Sequence, residues 1–444
     1  MSASSHIPTK SSQDDMASKE YVQTEYPSIS ASEVEATSPT NLKFDEGALL
    51  GAWLVQFCVL GLPLSFGVME SFYAEHYLSN FTPSTINWIG SIQLCFEFLL
   101  GVVVAGVFDA GHFRWISIPA SVLFVFSMFM LSLAKQEQYY QIFLSQGLGA
   151  GIAIGMLYTP TSSAVSQHFK KKRGFAMGII TTGGALGGAF FSIVLGHFLN
   201  GSIGFAWGVR ICAFICLGCL ILANLLMSTQ YPPPTSVVTN EQPVGIPLAQ
   251  LVRSTSYISF ILFAFVISIS LYNPMFSVEL FALRNAHVSQ ALGGYLLAIL
   301  NVSSIFGRLF FNRLADRYGV FEVYIPCITA TGKSGFLRVI ASVMTKCTSV
   351  ASIIVFCILY GIFSGSAVSL YFPAVLSLDR DVTRSGLRLG LASVPVGIAS
   401  LVGTPIAAAV VGHDRWWAGS VFTGVLELTA ALLLTISFLT KPKY

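Results

Sequence analysis

From His168 to Gly188 the chain reads HFKKKRGFAMGIITTGGALGG, with Lys170, Lys171, Lys172 and Arg173 wedged between two long apolar stretches and glycines recurring just beyond them. Such a run of cations cannot sit in hydrocarbon, and Lys and Arg are retained on the cytoplasmic face of membranes. The segment therefore reads as a cytosolic hinge between two membrane helices, and it sets the direction in which every other helix of the chain runs.

Composition agrees. Of 444 residues, 54% are hydrophobic and only 10% charged, with a mean hydropathy of +0.71, which leaves too little polar surface for a water-soluble domain of this size. The net charge of +3 is small, and nothing in its distribution suggests a nucleic-acid partner. Residues 1–47 differ in kind: rich in Ser, Thr, Asp and Glu, they read as a disordered cytosolic tail. No basic segment leading into an apolar core and a cleavage site opens the chain, so the first membrane helix is expected to direct insertion.

Apolar stretches of about 20 residues, long enough to span a bilayer, recur along the chain. Twelve are expected: 49–72, 85–108, 115–134, 139–165, 174–199, 207–227, 257–283, 291–311, 320–345, 350–378, 387–411 and 416–439. The prolines of YPPPTSVVTNEQPVGIP, from Tyr231 to Pro247, forbid a continuous helix there. The expected organisation is an all-α membrane protein with a cytosolic tail (1–47), a first six-helix bundle (48–227), a cytosolic linker (228–254) and a second six-helix bundle (255–444). With this register most of the 24 Lys and Arg fall on one face; only Lys135, Arg210, Arg284, Lys346 and Arg415 fall on the other, and Arg308, Lys333 and Arg338 within spans. The bias places both termini in the cytosol. The sequons at Asn80 and Asn200 then fall on outer loops as candidate glycosylation sites, whereas the one at Asn301 lies within a helix.

The ninth stretch is the weakest, because Glu322, Lys333, Arg338 and Lys346 interrupt it. Each central cation costs about 2.5–3.5 kcal/mol on insertion scales. Deleting the span would expose Arg380, Arg384 and Arg388 on the outer face, so it is retained with an expected interruption near Gly332 and Gly335. Two motifs here mimic cofactor sites. Cys212, Cys216 and Cys219 have iron–sulfur spacing, but in ICAFICLGCLIL they form one packed helical face. CITATGKS (Cys327–Ser334) approaches a P-loop without its first glycine or the soluble domain such a loop needs. No metal and no cofactor are expected.

The two halves repeat each other. The second stretch ends in GVFDAGHFR, with Asp109, and the eighth in NRLADRYG, with Asp316 and Arg317; the fourth carries Tyr158-Thr159-Pro160 and the tenth Tyr371-Phe372-Pro373. Six helices duplicated in parallel describe a transporter whose bundles rock around a central site.

These residues resemble the major facilitator superfamily, whose loop between the second and third helices reads roughly G-x-x-x-D-R-x-G-R-R. The resemblance implies the major facilitator fold of two pseudo-symmetric six-helix bundles, and for Asp109, Asp316 and Arg317 a role in latching the bundles in one access state. The hinge narrows it. His168, Phe169, Lys171, Lys172, Ala176, Gly178, Gly183 and Gly187 are similar to the signature that enters the fifth helix of monocarboxylate porters. The stretches AWLVQFCVLGLPLSFGV (Ala52–Val68) and ILYGIFSGSAVSLYFPAV (Ile358–Val375) are similar to fungal members of that family. Two family charges are missing: Leu64 stands where those porters carry a first-helix lysine, and Ser304 where they carry an eighth-helix aspartate.

Ionisable groups inside spans are expensive and mark cavities or partners. Arg308 shares a helical face with Gly294, Asn301, Ser304 and Asn312 and could hold a substrate carboxylate by two parallel hydrogen bonds; the competing reading is an arginine snorkelling to the surface. Glu97, on a face with Gly90, Gln93, Gly101 and Ala105, is the candidate proton carrier; the competing reading is a neutral packing acid. Glu427, on the peripheral twelfth helix, reads as structural. Gln56, Tyr158, Tyr272, Asn273 and Tyr371 lie on the first, fourth, seventh and tenth helices, which line the cavity in the family, and Pro160, Pro274 and Pro373 are positioned to break those helices. The expected function is secondary-active transport of a small organic molecule, with export of a secondary metabolite preferred and no enzyme activity. A proton-coupled importer of monocarboxylates or organic anions and a non-transporting nutrient receptor are the alternatives. The expected partners are this substrate, possible coupling protons and the lipid bilayer, and the expected location is the plasma membrane.

Overall fold

The computed structural model describes residues 46–168, 173–227, 253–285, 288–343, 350–378, 385–412 and 415–441. The acidic tail, Lys170–Lys172, most of the linker and Arg380 and Arg384 lie outside the described residues, as do the side chains of Asp109 and Arg338. Every regular element among the described residues is a helix. Ten are long and apolar enough to cross a membrane, and the broken first span and the charged ninth complete the twelve-helix pattern of a multi-pass membrane protein.

Local chemistry explains the breaks. The first span runs as Glu46–Val59, Gly61–Leu64 and Phe66–Phe72 and closes in a π-helical turn, Tyr73–Tyr77. Pro63 lacks an N–H and its ring crowds the carbonyl four residues back, so the helix is interrupted around it. The seventh span is likewise divided, into Thr255–Leu271 and Asn273–Asn285, just ahead of Pro274. In a bilayer a carbonyl at such a break needs a protein donor, and the Tyr360 hydroxyl lies 2.9 Å from that of Leu271. The other two expected breaks do not occur: Pro160 and Pro373 sit inside continuous helices, Gly151–His168 and Val350–Ser377. The irregularity of the fourth span lies earlier, in a π-helical stretch at Phe143–Ala150.

The ninth span is one unbroken helix, Val320–Val343, with no interruption at Gly332 or Gly335. It packs on the tenth and twelfth spans, anchored by the Tyr324 hydroxyl on the carbonyl of Ala367 (2.8 Å), and Lys333 is exposed. Since Cys327–Ser334 is part of this helix, it forms no phosphate loop. Cys212 and Cys216 are fully buried on one face of the sixth span (Gly204–Leu226), where Cys58 of the first span reaches the Cys216 carbonyl.

Between the halves, the second span (Pro83–Asp109) packs along the eleventh (Ser385–Val411), and the fifth (Arg173–Leu199) along the eighth (Gln290–Tyr318). Lipid tails are as apolar as leucine, so helices associate by close packing, and small residues make it possible. A Cβ at Gly187 would land on the backbone of Phe57 and Gly61, whereas one at Gly218 of the sixth span meets nothing within 4 Å. Gly187→Ala is therefore expected to destabilise the protein by about 1–3 kcal/mol through overpacking, read as a lowered midpoint of thermal unfolding in detergent, with Gly218→Ala neutral. Equal midpoints for the two variants would contradict this packing.

Candidate functional site

The polar stripe of the eighth span lies inside the protein, against the fifth. Arg308 is 0% exposed, so it does not snorkel. Its Nη1 donates to the backbone carbonyl of Thr181 at 2.9 Å, and among the described residues Nε and Nη2 have no hydrogen-bond partner. Neighbours hold the helix in register: Asn312 donates to the Arg308 carbonyl and to Ser369 Oγ, both at 2.6 Å. Asn301 donates to the Leu64 carbonyl at 3.3 Å. The approach depends on Gly178, where a Cβ would sit 2.8 Å from the Arg308 carbonyl.

Glu97 of the second span is also 0% exposed, and neither of its carboxyl oxygens has a hydrogen-bond partner among the described residues. Tyr158 and Tyr272, both buried, each lie within electrostatic reach of Glu97 and of Arg308. Phe98 and Phe372 pack on the Tyr158 ring, each with its centroid at 5.6 Å. A carboxyl, a guanidinium and two phenols thus lie in a buried, partly aromatic interior, where hydrogen-bonding groups left open are electrostatically strong.

The other candidates divide. Gln56 donates to Ser162 Oγ at 3.3 Å, and its carbonyl oxygen has no partner among the described residues. Tyr371 points its hydroxyl to the Ala392 carbonyl (2.6 Å) and stacks on Phe260. Asn273 donates to Thr423 Oγ1 of the twelfth span (2.9 Å) and also lines a cavity near the end of the protein opposite the basic hinge, called the distal end below. Glu427 faces the Tyr360 hydroxyl at 3.0 Å, tying the twelfth span to the tenth. Leu64 and Ser304, where the porter charges are missing, both adjoin Asn301: Leu64 through its carbonyl, Ser304 through a 2.7 Å bond from its hydroxyl to the Asn301 carbonyl.

At the hinge end, Asp316 accepts from the backbone N–H groups of Gly174 (3.1 Å) and Phe175 (2.8 Å). The carboxylate of the eighth span thereby caps the N-terminus of the fifth, where unpaired N–H groups and the helix dipole favour an anion. Arg317 is exposed and turns its guanidinium over Tyr318, 5.3 Å from the ring centroid, while Arg313 lies over Phe175 of the fifth span at 5.8 Å.

Two further acids are buried: Glu70 near the distal end of the first span and Glu279 in that of the seventh, each 2% exposed. The cost of burying a charge applies to them as to Glu97, so their positions inside apolar stretches were signal enough. Asn80 and Asn200 are exposed and Asn301 is buried.

Residues 52–383 match the profile of the Major Facilitator Superfamily. The chain belongs to the Major Facilitator Superfamily. Among curated relatives, it is 35% identical to the aspyridones efflux protein of Emericella nidulans over 82% of this chain and 71% of that one. It is 33% identical to the agnestins efflux protein of Paecilomyces divaricatus over 92% of each, and 32% identical to the fujikurins efflux protein of Gibberella fujikuroi over 87% of this chain and 80% of that one. The crystal structure of the human organic anion transporter MFSD10 superposes with a TM-score of 0.67, covering 88% of this chain and 98% of that one at 16% identity. That likeness concerns the fold alone. The chain is thus a membrane transporter of the facilitator type, a family that moves solutes rather than converting them.

The capping of a facilitator helix from the opposite half is testable. Two charge-assisted hydrogen bonds make the Asp316 cap worth about 2 kcal/mol. Asp316→Ala is expected to speed backbone hydrogen–deuterium exchange at residues 174–178 by tenfold or more while leaving the sixth span unchanged. Unaltered exchange at 174–178 would show that the cap holds nothing.

Proposed function

We propose that this facilitator exports a small secondary metabolite by alternating access, with Arg308 binding an acidic or carbonyl oxygen of the cargo and Glu97 carrying the coupling proton. The observation that carries the proposal is Arg308 itself: a fully buried guanidinium with two nitrogens that have no partner among the described residues. A buried charge of this kind is costly unless something pairs with it, and the open nitrogens offer the planar fork that suits a carboxylate or enolate. The direction is supported by relatives of 32–35% identity whose names are those of efflux proteins.

The remaining assignments follow the same reading. Gln56, Tyr158 and Tyr272 contribute polar groups to the central site, with Asn301 supporting Arg308 from the same helix and Asn273 and Tyr371 bracing the walls. Residues 48–227 and 255–444 rock as two bodies, latched at the hinge end by Asp316, with Asp109 and Arg317 as its companions. The hinge signature supports a monocarboxylate porter-like branch, and its cations support cytosolic termini in the plasma membrane. The neutral contacts of Leu64 and Ser304 argue that the cargo differs from that of the porters.

Deleting the gene in the organism that carries it is expected to trap the cargo inside the cell, where a comparison of cellular and external metabolites identifies it. Complementation with Arg308→Ala should reduce efflux at least tenfold and Arg308→Lys less, because lysine keeps the charge without the fork. Glu97→Gln should retain downhill exchange and lose its response to an imposed pH gradient. An external metabolite profile unchanged by the deletion would refute export.

The orientation carries its own check. Removal of N-glycans should shift the electrophoretic mobility of the protein, and Asn80→Gln with Asn200→Gln should abolish that shift. Glycans on a site introduced into the 228–254 linker would reverse the assigned topology.

A further inference from the structure

At the distal end a cavity of about 440 Å³ opens between the first, second, seventh, eleventh and twelfth spans. It is separate from the candidate central site, since neither Glu97 nor Arg308 lines it, and its size falls within the range of about 300–1,000 Å³ usual for small-molecule sites. Its charged groups are Glu70 and Arg284, of opposite sign, and neutral polar residues such as Thr82, Ser84, Asn87 and Ser277 line it beside them. Glu70 lines it; one carboxyl oxygen accepts from Asn87 at 2.7 Å, and the other has no partner among the described residues. Arg284 lines the same cavity, is exposed, and acts electrostatically on Glu70. Trp416 contributes a buried indole N–H that also has no partner among the described residues.

We propose that this cavity binds a zwitterionic small molecule, with an ammonium on Glu70, a carboxylate on Arg284, and an apolar body against Phe276, Leu280, Val411 and Trp416. The charge arithmetic favours this class over its rivals. A plain cation would meet Arg284, a plain anion would meet Glu70, and a neutral hydrocarbon would leave the open oxygen of Glu70 buried and unserved, which is costly. The open indole N–H supplies a further donor from the cavity wall.

The test uses three compounds that share a phenyl body: phenylalanine, which carries both charges, phenethylamine, which carries only the ammonium, and 3-phenylpropionate, which carries only the carboxylate. The full-length protein bearing Ser277→Cys, a half-buried residue lining the cavity, is alkylated with a maleimide in detergent, with the parent protein giving the background from native cysteines. Phenylalanine is expected to slow alkylation saturably, and each single-charge analogue to require about tenfold higher concentration, the effect of one lost charged contact. Arg284→Gln should erase the advantage of phenylalanine over phenethylamine, and Glu70→Gln its advantage over 3-phenylpropionate. Because Arg284 is exposed, its variant reports on the site even if Glu70→Gln does not fold. Absence of protection, equal protection by all three compounds, or an unchanged ranking in Arg284→Gln would overturn the assignment.

Discussion

The hydrogen bond from Arg308 to the carbonyl of Thr181 is the contact around which the rest of the protein is arranged. It joins the eighth span to the fifth, and it exists because Gly178 lets the two backbones come within reach. A guanidinium in hydrocarbon needs several donors satisfied, and one carbonyl satisfies one of them. Among the described residues Nε and Nη2 have no partner, so the protein's own contacts offset only part of the cost of burying Arg308. Around it, Asn301 and Ser304 bond to backbone carbonyls and Asn312 to the Arg308 carbonyl and Ser369 Oγ, although Asn312 Oδ1, like Nε and Nη2 of Arg308, has no partner among the described residues.

The two ends of the molecule use charge differently. At the hinge end a single exposed carboxylate, Asp316, caps the fifth span across the interface of the halves. Such a contact is strong for its size but open to water. At the distal end Glu70 and Glu279 are buried, and Glu70, with one carboxyl oxygen unpartnered among the described residues, lines a cavity with Arg284 and Trp416 on its walls. Elsewhere in the interior are Glu97 and Arg308, each fully buried, with Tyr158 and Tyr272 within electrostatic reach of both.

Much of this was legible in the chain, and for a physical reason. Hydrocarbon tolerates few polar groups, so spans, loops and the hinge write themselves as blocks of composition, and the inward faces of Arg308 and Glu97 follow from helical spacing. Proline was read less well. Pro274 divides its helix, but Pro160 and Pro373 do not, because a helix packed by its neighbours can accommodate the missing bond. Charge in the ninth span suggested an interruption that is absent; its Lys333 reaches an exposed position while the helix backbone continues.

Side-chain direction was beyond spacing alone. Tyr371 and Asn273 carry the right groups on the right helices, yet one bonds to the Ala392 carbonyl and the other to Thr423, contacts set by helices far away in sequence. By itself the sequence determined the class of the protein, its helices, its repeat and the residues too costly to bury without purpose, since each is a property of local composition measured against the bilayer. Only the tertiary structure decided which of those residues keep open hydrogen-bonding atoms, because that depends on the partner each meets across the packed interfaces, and glycine positions such as Gly178 set how close those interfaces come.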